Sequence, residues 1–475
     1  MEFEKINLYK PKFYNDWDTK TLYELAEWIN GKAFKKKDYS NCGIPIIKIA
    51  ELNNGISSNT KYTNRAEDKY YIKEKDLLFA WSGNPDTSID THRFNLSEGY
   101  LNQHIFKVIP NQDKISSNYF YYLMKYLNPN FKEIARNKQT TGLGHVTVSD
   151  IKNIHVNIPK LEFQDSITGS LYSIDKKIEI NNKIIENLEA QAQAIFKSWF
   201  VDFEPFQEGN FVESELGLIP EGWEVNSIGN YIDFDIGGGW GKDHPVDRYI
   251  NPAYVIRGTD IPRIIYGEFN KDNYRYHTET NLYRRRLEYG DLVFESSGGS
   301  TNQDLGRMLY MTNEILEEYD NNVMPASFCK IIRINNSETR WYIYNLLKYS
   351  LEKKFLKKYE VQSTGISNFS FKIFKDDYKI IKPNIKDLRK YYEVTGYNID
   401  LASKLSYQNQ TLAQTRDTLL PKLMSGEIDV SNIKIDDEDI DYEWDIPWRW
   451  IWESIYRTYR RLRIHIYSPP RNTKG

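Results

Sequence analysis

The sequence predicts an α+β protein in which one kind of domain occurs twice and a pair of long antiparallel coiled-coil helices separates the copies, related by a pseudo-twofold axis. Three observations carry this expectation. The first is internal repetition. Trp17-x4-Leu22 recurs as Trp223-x4-Ile228, DLLFAWSG (Asp76–Gly83) as DLVFESSG (Asp291–Gly298), and YFYYLMKY (Tyr119–Tyr126) as YIYNLLKY (Tyr342–Tyr349). TTGLGHVTVSDIK (Thr140–Lys152) answers STGISNFSFKIFK (Ser363–Lys375), and Pro159 answers Pro383. The order is the same in both halves and the offset grows from 206 to 224 along the chain, as small loop insertions in a duplicated unit would produce. The second observation is the mixed local pattern inside each copy, and the third is a change of apolar period after each proline.

Each copy opens with short runs rich in Ile, Val, Tyr and Phe, broken by Gly, Asn and Pro, which read as strands. A helix follows, its start marked by Ser116–Ser117 in one copy and Asn336–Ser337 in the other. The Tyr119–Tyr126 and Tyr342–Tyr349 stripes have helical spacing and are expected in the core. A glycine-containing loop and a last strand close each copy at its proline. From Ile167 the positions Leu171, Ile174, Ile178, Asn181, Ile185, Leu188, Ala192, Ile195 and Trp199 step 4, 3, 4, 3 as an a/d seam. The same frame continues through Tyr391, Thr395, Asn398, Ala402, Leu405, Asn409, Leu412, Arg416, Leu419 and Leu423. One such helix alone would be read as packing on its own domain; two, placed alike after duplicated domains, are expected to pair with each other. Asn181 and Asn409 either fix the register of that seam or face solvent. The expected organisation is a first domain at 1–160, a spacer helix at 161–203, a second domain at 204–386, a second spacer helix at 387–428 and a tail at 429–475.

The chain has 475 residues, 40% hydrophobic and 27% charged, which fits folded domains and excludes wholesale disorder. The amino terminus MEFEKINLYK has no apolar run, so no secretory signal and no membrane anchor are expected, and a cytoplasmic location follows. Cys42 and Cys329, far apart, exclude a disulfide framework. The net charge of −3 hides a strongly acidic run at Asp436–Asp445 and a basic, tryptophan-bearing stretch from Arg449 to the end, while the rest is near neutral. A chain gripping DNA unaided would be basic, so any DNA binding must rest on local patches or on partners that bring charge. Three readings of the tail stay open: a partner-docking segment, a surface-binding amphipathic segment, or a frame-shifted end without a selected role.

No P-loop and no HExxH occurs. FDIGGGWG (Phe234–Gly241) with NPAY (Asn251–Tyr254) is faintly like an amino-methyltransferase, but a cofactor-binding glycine turn must open a helix. Here Pro245 and Pro252 follow and no helical period does, so a loop between strands is expected. No catalytic residue and no metal ligand is assigned.

The candidate nucleic-acid contacts lie in loops of the repeated unit. Lys32, Lys35, Lys36 and Lys37 surround Phe34 and suit phosphates. Gln139, Thr140, Thr141, Gly142 and His145 form a glycine loop with hydroxyl and amide groups able to approach a phosphate or a base edge. Gln362, Ser363 and Thr364 stand at the corresponding place of the second copy. Trp81 and Ser82 answer Ser296 and Ser297, while Trp240 and Lys242 form a weaker candidate.

The layout resembles the DNA specificity subunit of type I restriction–modification systems. The motifs are IPEGWEVNSIG (Ile219–Gly229), NLEAQAQAIFKSWFVDF (Asn187–Phe203) and LAQTRDTLLPKLMSGEIDV (Leu412–Val430), and the likeness runs from about Trp17 to Val430. It implies two target recognition domains, each reading one half of a split, asymmetric double-stranded DNA site, with the antiparallel helices as a ruler that also docks two modification subunits. Those partners would supply S-adenosylmethionine and methylate adenine, and restriction subunits using ATP and Mg would cut; no cofactor would be bound by this chain. The acidic and basic tail departs from that pattern. Two rivals are a non-catalytic tandem scaffold indifferent to DNA and a self-contained DNA methyltransferase.

Overall fold

The computed structural model describes residues 7–8, 17–57, 59–64, 67–139, 142–298, 304–320, 322–363 and 365–428. The predicted tail at 429–475 lies outside them. The described chain falls into two compact units, divided between Lys176 and Lys177 and again between Leu412 and Ala413, so each unit contains a stretch of both long helices.

In the first unit, a four-stranded sheet runs in the order Ala26–Asn30, Ile105–Pro110, Leu77–Ala80, Asp90–Arg93. A second sheet holds Ile44–Ile47 and Glu98–Leu101 as a parallel pair. Asp18–Thr21 pairs antiparallel with His155–Ile158, so the start and end of the repeat close on each other. Helix Ser117–Tyr126 is capped by Ser116, whose Oγ accepts from Tyr119 N at 3.2 Å. Its Tyr119, Phe120, Tyr122, Leu123 and Met124 are buried against Phe79, Phe106 and Val108 of the sheet. The tyrosine stripe is core because its rings face a sheet whose inner residues are all large and apolar.

The second unit repeats this plan. Its four-stranded sheet runs Phe234–Gly237, Cys329–Arg333, Leu292–Glu295, Met308–Tyr310. Registers agree residue for residue under the offsets of the sequence repeat. Ala80↔Ile105 corresponds to Glu295↔Cys329, Asn30↔Phe106 to Gly237↔Lys330, and Asp18↔Ile158 to Glu224↔Lys382. A one-residue slip would turn every inward side chain outward, so shared register is a stringent mark of duplication. Helix Ser337–Glu352 is capped by Asn336 and buries Tyr342, Ile343, Tyr344 and Leu347. Each copy carries more short helices than the one the sequence announces, among them Val148–Asn153 and its counterpart Phe371–Asp377.

The first long helix spans Leu161–Phe200, 40 residues, or about 60 Å at 1.5 Å per residue. The second is Ile385–Thr395 followed by Tyr397–Met424. The expected single helix is thus interrupted at Gly396, although that residue keeps right-handed torsions of φ −65° and ψ −30°. A Cβ there would lie 2.6 Å from Tyr392 O, so the turn packs too tightly for any side chain.

Within the second unit the two helices pack together and run antiparallel. Asn181 Nδ2 donates to Asn409 Oδ1 at 2.8 Å, and Asn398 Nδ2, eleven positions earlier on the second helix than Asn409, donates to Leu188 O at 3.1 Å. Ile185, Leu188 and Ala402 form the apolar seam between these bonds. Farther along, Phe196, Trp199 and Phe200 enter the domain core with Trp223, Tyr342 and Tyr391. In the first unit the corresponding contacts are Asp175 with Arg416 at 2.8 Å and Ile167 and Leu171 with Leu423 and Met424. The sequence left two roles open for Asn181 and Asn409; both are buried, at 0% and 3% exposure, so neither faces solvent. No described helix is long and apolar enough to cross a membrane.

Candidate nucleic-acid interface

Three segments emerge at one end of the four-stranded sheet in each repeat. In the first, the strand ending at Asn30 leads into the Gly31–Lys37 loop, the strand ending at Ala80 leads into Trp81–Gly83, and the Gly142 turn closes beside them. Ser82–Gly83 pairs with Gly144–His145, Ser82 opposite His145 and Gly83 opposite Gly144. Val146 N donates to Trp81 O at 2.8 Å. Gly142 has φ +86° with open space around it, so the left-handed torsion is what requires glycine there. Gln139 and Leu143 beside it are exposed. Thr140 and Thr141 lie outside the described residues.

Lys35, Lys36 and Lys37 are exposed and make no ion pair among the described residues, which leaves three point charges facing solvent. Asp38 Oδ2 is spent on the loop itself, accepting from Lys35 N at 2.8 Å. Lys32 is half-buried, with Nζ 5.8 Å from the Phe34 ring. Trp81 is less free than the sequence reading supposes: its Nε1 donates to Asn30 Oδ1 at 3.1 Å and its ring lies against His104 and Phe106.

The second repeat presents the same frame with other chemistry. Ser297 stands opposite Asn368 and Gly298 opposite Ser367, the register of Ser82–His145 and Gly83–Gly144 under the repeat offsets. Gly365, at φ +81° in open space, turns the hairpin of Glu360–Ser363 with Ile366–Phe369, and Gln362 is exposed on its outer strand. Thr364 lies outside the described residues. Ser297 Oγ donates to Asn368 Oδ1 at 2.8 Å and Ser296 Oγ to Phe328 O at 3.1 Å. Trp240 is 39% exposed with the Arg275 guanidinium 4.8 Å from its ring, and Arg275 pairs with Asp243. Trp240 and Ser297 line one cavity of about 650 Å³, whereas Lys242 is exposed outside it with Nζ 5.8 Å from the Tyr249 ring.

The glycine run has a packing explanation. A Cβ on Gly238 would lie 2.2 Å from Ala326 O, and one on Gly31, its counterpart, 2.1 Å from Asn102 O; the chain passes against a neighbouring strand at both. Gly241, at φ +76°, packs 2.6 Å from His277 Cε1 by the same measure. The segment joins strand Phe234–Gly237 to strand Asn251–Ile256 and opens no helix, so its amides are not arrayed as a phosphate or cofactor cradle. His277 is wholly buried, neither ring nitrogen has a partner among the described residues, and burial pushes its pKa down to about 4. Among the described residues no group of His, Cys, Asp and Glu could hold a metal ion.

One surface escaped the sequence reading. Helix Glu279–Arg285 carries Tyr283 at 86% exposure, flanked by exposed Arg284 and Arg286 that form no ion pair among the described residues. Arg285 turns inward, its Nε donating to Gly237 O at 2.7 Å, and burial with Arg284 nearby lowers its pKa. The run YRRR was the available signal.

The pattern of the family described as "Type I restriction modification DNA specificity domain" matches residues 14–190. The MjaIX specificity subunit of a type I restriction enzyme from Methanocaldococcus jannaschii is 27% identical over 91% of this chain and 98% of its own length. The HindI specificity subunit from Haemophilus influenzae is 21% identical over 87% of this chain and all of its own. The crystal structure of a type I restriction–modification S subunit from M. genitalium superposes with a TM-score of 0.47 at 17% identity, covering 87% of this chain and 98% of that one. Along most of its length the chain is thus similar to DNA specificity subunits of type I restriction–modification systems, and it matches their DNA specificity domain over residues 14–190.

Proposed function

We propose that this specificity subunit reads a bipartite, asymmetric duplex DNA site, one half through residues 1–160 and the other through 204–386, and that the helix pair sets the gap. The observation that carries this reading is one frame dressed with two chemistries. At corresponding positions the first repeat places Ser82 opposite His145 and the second Ser297 opposite Asn368. Ala80 pairs with Asp90, where Glu295 N donates to Arg307 O. Equal backbones with unequal side chains suit two different half-sites.

In this reading Lys35, Lys36 and Lys37 neutralise phosphates. Gln139–His145 with Ser82 reads the first half-site, and Gln362–Thr364 with Ser296, Ser297 and Trp240 reads the second. The helices at 161–203 and 387–428 hold the halves apart and dock two modification subunits. Those subunits bind S-adenosylmethionine and methylate adenine; restriction subunits with ATP and Mg cut, in the cytoplasm. The near-neutral charge of this chain then matters little, since partners bring cations.

The test is co-expression with the cognate modification subunit and methylation mapping by single-molecule sequencing. The expected result is modified adenine at a two-part motif with a fixed gap, and replacing Gln139–His145 by glycine and serine should erase selectivity in one half only. Methylation at one uninterrupted motif, or full selectivity after the swap, would contradict it. Binding of S-adenosylmethionine by the isolated chain would favour a self-contained methyltransferase instead.

A further inference from the structure

The second repeat holds a cavity of about 650 Å³, within the range of small-molecule sites. Two of its lining residues are exposed aromatics, Trp240 at 39% and Phe328 at 50%. Trp240 is held in place by Arg275 over its ring. Among the described residues Phe328 makes no ring contact with another aromatic side chain.

The repeat explains why Phe328 stands alone. In the first copy Trp81 N donates to His104 O, and in the second Ser296 N donates to Phe328 O, so Trp81 corresponds to Ser296 and His104 to Phe328. The Trp81 indole lies against His104, tilted by 59° at 5.9 Å between centroids. Serine cannot do this, and the second repeat therefore lacks one planar ring beside Phe328.

The charges of the lining decide what could take that place. Arg307 is held by Glu295 through hydrogen bonds of 2.8 and 2.6 Å, and Arg257 by Asp260 through bonds of 3.1 and 2.8 Å. Among the described residues no lysine lines the cavity. Both guanidinium groups are thus already neutralised by carboxylates, so the lining offers no surplus positive charge for a phosphate. It suits a neutral, planar, hydrogen-bonding group. Ser297 and Gly298, one wall of the cavity, also pair with the strand that follows the Gly365 turn, which puts the cavity beside the segment assigned above to base reading.

We propose that this cavity receives a nucleobase, supplied by bound DNA as an unstacked base of the second half-site that stacks between Phe328 and Trp240. This rests on the bipartite reading above. Stacking on aromatic rings and desolvation inside the cavity would offset the cost of leaving the helix.

The test uses the full chain in complex with its modification subunit on its mapped site. 2-Aminopurine is placed in turn at each position of the second half-site other than the methylated adenine. The expected result is a several-fold change in emission at one position on binding, lost in Phe328→Ala and also in Ser296→Trp, which supplies the ring from within. Both variants should keep the wild-type melting temperature, since Ser296 is only partly buried and Phe328 half-exposed. A gapped site with no responding position overturns this inference and leaves the bipartite reading intact, whereas absence of any gapped site overturns that reading. Free adenosine that raises the melting temperature of the wild type, but not of Phe328→Ala, without DNA would assign the cavity to a nucleoside and overturn the DNA source.

Discussion

Replacing Asn181 and Asn409 by leucine, singly and together, probes the seam where the two long helices meet. Asn181 Nδ2 donates to Asn409 Oδ1 at 2.8 Å and to Gln408 Oε1 at 2.9 Å, and Asn409 Nδ2 donates to Asn182 Oδ1 at 2.7 Å. Gln408 is exposed, so on losing Asn181 it returns to water at little cost. Asn409 Oδ1 has no such escape, and a stranded buried acceptor costs about 1–3 kcal/mol. The second leucine removes that acceptor and adds buried apolar surface. The two substitutions should therefore couple by about 1–3 kcal/mol, the double variant being more stable than the sum of the singles predicts. Urea denaturation of the full-length wild type, both singles and the double at one pH measures the coupling. Additivity within about 0.5 kcal/mol would refute the seam geometry, because two amides that do not touch have nothing to lose together.

Three further outcomes follow from the same structure. His277 has a folded pKa of about 4 against an ordinary value of 6.5. The unfolded chain binds the extra proton, so stability should be undiminished above about pH 6.5 and fall as pH drops towards 4, by up to about 3 kcal/mol. Replacing His277 by Phe should flatten that part of the profile in melting experiments. Gly238→Ala and Gly31→Ala each force a methyl group to within 2.2 and 2.1 Å of a backbone oxygen, and both should destabilise the chain by at least about 1–3 kcal/mol; a normal melting temperature for either would remove the packing account of the glycine run. Lys35→Ala/Lys36→Ala/Lys37→Ala should leave melting unchanged and lower the slope of log affinity against log salt by about 0.9 for each lysine that meets a phosphate; an unchanged slope in DNA-binding titrations would remove the run from the interface.

The sequence exposed what local spacing encodes. The a/d seam, the caps Ser116 and Asn336 and the tyrosine stripes all depend on residues a few positions apart, and all are found where that spacing puts them. Repetition went further, because strings such as DLLFAWSG and DLVFESSG turn out to share strand register as well as order. Pairing between distant segments was not legible: nothing local tells Asp18–Thr21 that its partner is His155–Ile158. The loop expected between strands at 238–241 is found, but the reason for its glycines was not legible, because sequence shows the missing Cβ but not the carbonyl it would strike. The interruption at Gly396 was hidden for the same reason, since the heptad frame passes straight through it. Trp81 drew attention as an aromatic near a glycine, yet its N–H is already committed to Asn30. Tyr283 was passed over because an exposed ring and a buried one read alike in a string of letters.

The central claim is that paired helices set the distance between two half-sites. The direct measurement duplicates one heptad in each helix, Ile178–Ile184 in the first and Leu405–Thr411 in the second, so that the seam stays in phase. Each insertion adds about 10.5 Å at 1.5 Å per residue, close to the rise of about three base pairs at 3.4 Å each. Methylation mapping with the modification partner should return both half-sites unchanged and a gap wider by about three base pairs. A stable, active double insertion that still methylates at the original gap would contradict the account.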